Sequence, residues 1–63
     1  MADEGFLFAK CAETLRDYEE RARQERAAAD MAARPEMASA HRLLAIQYEA
    51  DADELRRQLA TKG

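Results

Sequence analysis

One proline decides how this chain can be divided. Pro35 is its only proline, and its two glycines, Gly5 and Gly63, stand near the ends, so the Arg34-Pro35 step is the one interior point that interrupts a regular backbone. Proline lacks an amide hydrogen and disfavours helix in the residue before it, yet it suits the first position of a helix. Arg34 is therefore expected at the break and Pro35 at the start of a second helix, where Glu36 meets the positive end of the helix dipole. Strands have almost no material. Valine is absent, Ile46 is the only β-branched aliphatic, and Thr14 and Thr61 complete the β-branched set. The expected fold is all-α: an antiparallel two-helix hairpin with one helix over about 4–33, a turn at 34–35 and a second helix over about 36–61, together a single domain.

Side-chain size is the next constraint. Alanine supplies 15 of the 63 residues, half of everything counted as hydrophobic, so large apolar groups are few. In helix one, Phe8, Cys11, Leu15, Tyr18, Ala22, Glu25, Ala29 and Ala32 alternate in steps of three and four, the seam of a coiled coil or bundle. In helix two, Met37, His41, Leu44, Tyr48, Ala52, Leu55 and Leu59 share one face at about 100° per residue, with Ala45 at its margin. A short connection makes the helices antiparallel neighbours, and residue numbers that add to about 70 lie level. That sum sets Ala29 beside His41, Glu25 beside Leu44, Ala22 beside Tyr48, Tyr18 beside Ala52, Leu15 beside Leu55 and Cys11 beside Leu59, with small residues opposite large ones in the middle. Charges on the outer faces fall at i,i+4 spacing, in Asp17 with Arg21, Glu19 with Arg23, Arg26 with Asp30 and Asp53 with Arg57.

Such a hairpin covers one side of each seam. Ordering costs roughly 1.5 kcal/mol per residue, which about a dozen large apolar side chains do not offset in one copy. The expected remedy is a second copy, giving a homodimeric antiparallel four-helix bundle with twofold symmetry. Leu43, Ile46 and Ala50 form a further apolar strip on helix two, nearly opposite Tyr48. It reads either as the dimer interface or as a docking surface for another protein.

The chemistry in the sequence is sparse. Glu25 and His41 are expected within about one turn of each other on the inner face, as a pH-sensitive pair, half of a metal site completed by symmetry, or a polar layer that fixes register. The Glu-x-x-His spacing of bundle di-iron sites is absent and one histidine is a thin ligand supply, which favours the polar layer. Cys11 reads as a small core residue. Tyr18 and Tyr48 read as packing residues whose hydroxyls reach the bundle edge, with Asp51 as an acceptor for Tyr18; Phe6 and Met31 fall outside the stripe. There is no nucleophile–base pair, glycine-rich phosphate loop or zinc-ligand cluster. Too few residues remain to wall an enclosed pocket, so no catalytic or cofactor site is expected.

Compartment and partners follow from charge. Eight acids and six bases precede Pro35 and five acids and four bases follow from there, for a net charge of −3. Neither half concentrates the positive charge that nucleic-acid binding draws on. No stretch nears the roughly 20 apolar residues of a membrane span, and Asp3 and Glu4 are acidic where a signal peptide is basic. With a lone cysteine, the chain reads as cytoplasmic.

Tyr18, Arg21, Ala22 and Glu25, the turn Pro35-Glu36, then Leu43-Leu44-Ala45, Tyr48-Glu49, Ala52 and Leu55 resemble a group of short helical-hairpin proteins common in alphaproteobacteria. That resemblance implies the hairpin and brings no activity with it. In architecture the chain is similar to Rop-type RNA-binding regulators, hairpins that dimerise into four-helix bundles, and Ala52-Asp53-Glu54-Leu55 resembles their second helix. The likeness implies an RNA face of basic and polar residues around an aromatic on helix one, where this chain carries Glu13, Asp17 and Glu20. The expectation is a small non-enzymatic protein acting as a homodimeric protein–protein interaction or regulatory module, with an unidentified protein partner. The alternatives are a Rop-like RNA-binding regulator and a metal-binding or redox helical bundle.

Overall fold

A computed structural model of the chain describes the backbone of residues 4–62 and the side chains of residues 10–61. It consists of α1 (Glu4–Met31) and α2 (Pro35–Lys62), packed antiparallel, with no strand among the described residues. Each helix has 28 residues, about 42 Å at 1.5 Å per residue, and the molecule measures 51 × 16 × 12 Å. No helix among the described residues is long and apolar enough to cross a membrane.

The break lies where the proline places it. Met37 and Ala38 donate their amides to the Arg34 carbonyl at 3.1 and 3.0 Å, so Arg34 flanks α2 and Pro35 is its first helical residue. Glu36 supplies the acidic first turn. α1 ends at Met31, two residues short of the expected 33, and the turn is residues 32–34 rather than 34–35. The Ala32 amide donates to the Ala29 carbonyl at 3.3 Å, a tightened closing turn that lets the chain reverse within three residues.

The core is made of alanine. Ala22, Ala29, Ala45 and Ala52 are at most 4% exposed, and among the described residues no larger side chain is fully buried. Both helices thus bury their smallest side chains along the contact between them. Ala45, expected at the margin of its stripe, lies at the centre, whereas Leu44, expected on that stripe, is 46% exposed. Putting Ala45 on the line of approach turns its neighbour, about 100° round the helix, toward the outside. Cys11, Leu15, Tyr18, Tyr48, Leu55 and Leu59 are half-buried beside the alanine line. Phe8 lies outside the described side chains.

Candidate functional site

On each helix the residues beside the alanines separate into two flanks. Taking Ala22 as zero, Tyr18 and Glu25 fall about 40–60° to one side at 100° per residue, and Glu19 and Arg26 as far to the other. On α2 the same division puts His41 and Tyr48 on one side of Ala45 and Ala52, and Glu49 and Arg56 on the other. The contacts agree. Glu25 meets His41 and Tyr18 meets Tyr48, pairs whose numbers add to 66. Arg26 meets Glu49 and Arg56 meets Glu19, pairs that add to 75. The expected sum of about 70 lies between the two flanks.

The first flank is ionic. The Arg26 guanidinium donates from Nε to Glu49 Oε2 at 2.6 Å and from Nη2 to Glu49 Oε1 at 2.7 Å, a two-pronged bond across the helices. Its hydrogen bonds hold the Glu49 carboxyl below its ordinary value and raise Arg26 above its own. Arg56 donates from Nη2 to Glu19 Oε2 at 2.6 Å and from Nη1 to Asp53 at 3.1 Å. Sequence spacing alone placed Glu19 with Arg23 and Arg26 with Asp30. Of the four expected i,i+4 pairs Asp53–Arg57 forms, at 3.0 Å, while Arg23 bonds Glu20 at 2.6 Å. Glu19 and Arg26 sit close enough to the contact line to reach opposite charges on α2, a match that the sum rule applied to charged residues exposes.

The second flank is mixed polar and apolar. His41 Nδ1 lies 2.6 Å from Glu25 Oε1, and both side chains are largely shielded. This is the residue pair expected from the sequence, brought into direct hydrogen bonding. The Tyr18 and Tyr48 rings lie 6.2 Å apart at 35° to each other. Arg21 reaches over the Tyr48 hydroxyl, and hydrogen bonding there is the first cause of its raised pKa. Asp51 accepts from Gln47 at 3.1 Å. Below the tyrosines, toward the chain ends, an open groove runs between Cys11, Thr14, Tyr18, Asp51 and Leu55. Above them, toward the turn, Leu44 and Met37 protrude, Met37 at 50% exposure.

The back of α2 carries the apolar strip read from the sequence. Leu43 is 66% and Ile46 53% exposed, and Ala50 beside them is also open. Met31 points outward at the turn end. Cys11 is a half-buried free thiol. Among the described residues no three His, Cys, Asp or Glu side chains converge as a metal ion would require, and no buried side-chain polar atom lacks a partner. The described side chains present three surfaces: an ionic flank, a tyrosine flank and an apolar strip. No family model, curated protein or solved structure matches the chain.

Proposed function

We propose that the protein is a non-enzymatic cytoplasmic module that works as a homodimer, joining two hairpins into a four-helix bundle and serving in protein–protein interaction or regulation. The observation that carries this reading is the mismatch between core and surface. Among the described residues the buried hydrophobic side chains are four alanines, while Met37, Leu43 and Ile46 are half or more exposed and Leu44 is 46% exposed. A two-helix chain gains little from so small a core, and association covers the apolar groups it leaves open. The free thiol of Cys11 agrees with a reducing compartment.

Molar mass in solution tests the proposal. Light scattering at micromolar concentration should give twice the 7.1 kDa of one chain, and a single-chain mass across the whole concentration range sinks the dimer reading. The Leu43→Glu, Ile46→Glu double variant sharpens it. Retained dimer mass removes the strip from the self-interface, and loss of the dimer makes the strip the self-interface.

A further inference from the structure

Toward the turn the tyrosine flank opens into a groove lined by Ala28, Met31, Ala32, Met37 and His41. Two of the chain's three methionines and its only histidine therefore stand around one depression. Met37 and His41 are one turn apart on α2, with about 5–6 Å between Cβ atoms on one helix face. Met31, the last residue of α1, lines the groove from the other helix, and Ala28 and Ala32 line it with methyl groups alone. Methionine ordinarily fills gaps in a core. Here Met31 is 84% exposed and Met37 half-exposed, so packing does not account for either thioether.

The histidine in this groove is oriented by a carboxylate. Glu25 Oε1 lies 2.6 Å from His41 Nδ1. An ionised carboxylate only accepts, so a neutral imidazole against it carries its proton on Nδ1 and keeps the lone pair of Nε2. Metal-ligating histidines are held in the same way: one ring nitrogen donates to a carboxylate, which fixes the tautomer and makes the other nitrogen a better ligand. A polar layer that fixes register explains the Glu25–His41 bond equally well. It leaves the two thioethers beside that bond without a role.

We propose that Met31, Met37 and His41 Nε2 bind one soft monovalent cation, copper(I), with Glu25 as the positioning residue behind the histidine. Thioethers are soft ligands that select copper(I), and imidazole suits copper as well. Charge makes the same choice. All three ligands are neutral, and the Glu25 carboxylate balances a single positive charge. Arg34 also lines the groove, and the start of α2 carries the positive end of its dipole, so the second charge of zinc or magnesium would go uncompensated. Methionine has three rotatable bonds, which let the exposed Met31 sulfur close over the ion. The whole site lies within one hairpin, so it stands or falls apart from the homodimer reading.

Nuclear magnetic resonance of the full chain tests the site, with Cys11→Ser removing the competing thiol. The methionine methyls and imidazole nitrogens are labelled and followed during titration with silver nitrate, an air-stable ion of the same charge and softness, and then with copper(I) without oxygen. The Met31 and Met37 methyls and His41 Nε2 should shift together and saturate at one ion per chain, while the Met1 methyl does not move. Met37→Leu and His41→Gln should abolish saturation and Met31→Leu should weaken it. Glu25→Gln keeps an acceptor for Nδ1 but loses the charge, and should lower affinity about 10–100-fold. Zinc should give no saturable shift. Circular dichroism reports that each variant folds, and should His41→Gln unfold, the Nε2 shift in the parent chain decides. Shifts spread over all three methionines, or saturation that survives Met37→Leu, overturn the site. Binding unchanged by Met31→Leu overturns the three-ligand set, and zinc bound as tightly as silver overturns the choice of a monovalent ion.

Discussion

The two flanks of the hairpin border the same four alanines and differ in what they leave undone. Along the ionic flank Arg26–Glu49 and Arg56–Glu19 satisfy each other across the helices. Along the tyrosine flank one hydrogen-bonded pair and one ring contact are interspersed with half-covered leucines and a methionine. Exposed ion pairs add little stability, but they do settle register and occupy charge. The apolar groups opposite them gain only when more surface is covered. A hairpin with an alanine core is thus closed by ion pairs on one side and leaves apolar groups open on the other.

The largest expected effect comes from attacking the line both flanks share. Ala45 is fully buried at the closest approach, so Ala45→Leu forces the helices apart and should cost about 1–3 kcal/mol. At about 4–8 °C per kcal/mol for a domain of this size, thermal melting followed by circular dichroism reads this directly, and an unchanged melting point would show that the alanine line does not set the helix separation. Next is the polar member of the tyrosine flank. Glu25→Ala leaves His41 without its acceptor and should cost about 1 kcal/mol, less than a fully buried pair because water still reaches the site. Glu25→Gln, which keeps an acceptor oxygen, should recover part of the loss; equal losses for the two variants would argue that the bond itself contributes nothing.

A smaller effect belongs to the rings. A double-mutant cycle of Tyr18→Leu and Tyr48→Leu should return a coupling of about 0.5–1.5 kcal/mol, and a coupling of zero would reduce the contact to proximity. The least effect is expected on the ionic flank, where it has a pH signature. Arg26 holds the Glu49 carboxyl below its ordinary value of 4.5. A depressed carboxylate contributes stability above its unfolded value and loses it as the pH falls through the folded one. The melting difference between wild type and Glu49→Gln should therefore be present at neutral pH and vanish on acidification below 4.5. A difference that persists in acid would mean Glu49 acts by packing rather than by charge.

Much of the fold was legible because helix breaks and helix periodicity are local. Arg34-Pro35 marks the reversal through proline's missing amide, and the three–four alternation through Cys11, Leu15, Tyr18, Ala22 and Glu25 marks the inner side of α1. A level rule of about 70 falls between the two observed flanks and brings Glu25 to His41. It failed on the detail of who faces whom. Tyr18 meets Tyr48 rather than Ala52, and Leu44 turns outward while Ala45 goes in, because the rotation of each helix about its own axis is chosen by the closest fit between the two. The cross-helix ion pairs were hidden for a related reason. Glu19, Arg23 and Arg26 each have an opposite charge one turn away on α1, and α2 outcompetes it for two of them only once the separation is known.

By itself the sequence determined two helices, their direction and where they reverse, since each follows from backbone chemistry and from a period of 3.6 residues within one segment. It also determined that large apolar groups are too few to make a core. Only the tertiary structure decided that Ala22, Ala29, Ala45 and Ala52 are the buried side chains among the described residues, that arginine and glutamate close one flank, and that Leu44 and Met37 stand out on the other. Those outcomes depend on the distance and rotation between two helices, which the side chains of both settle together.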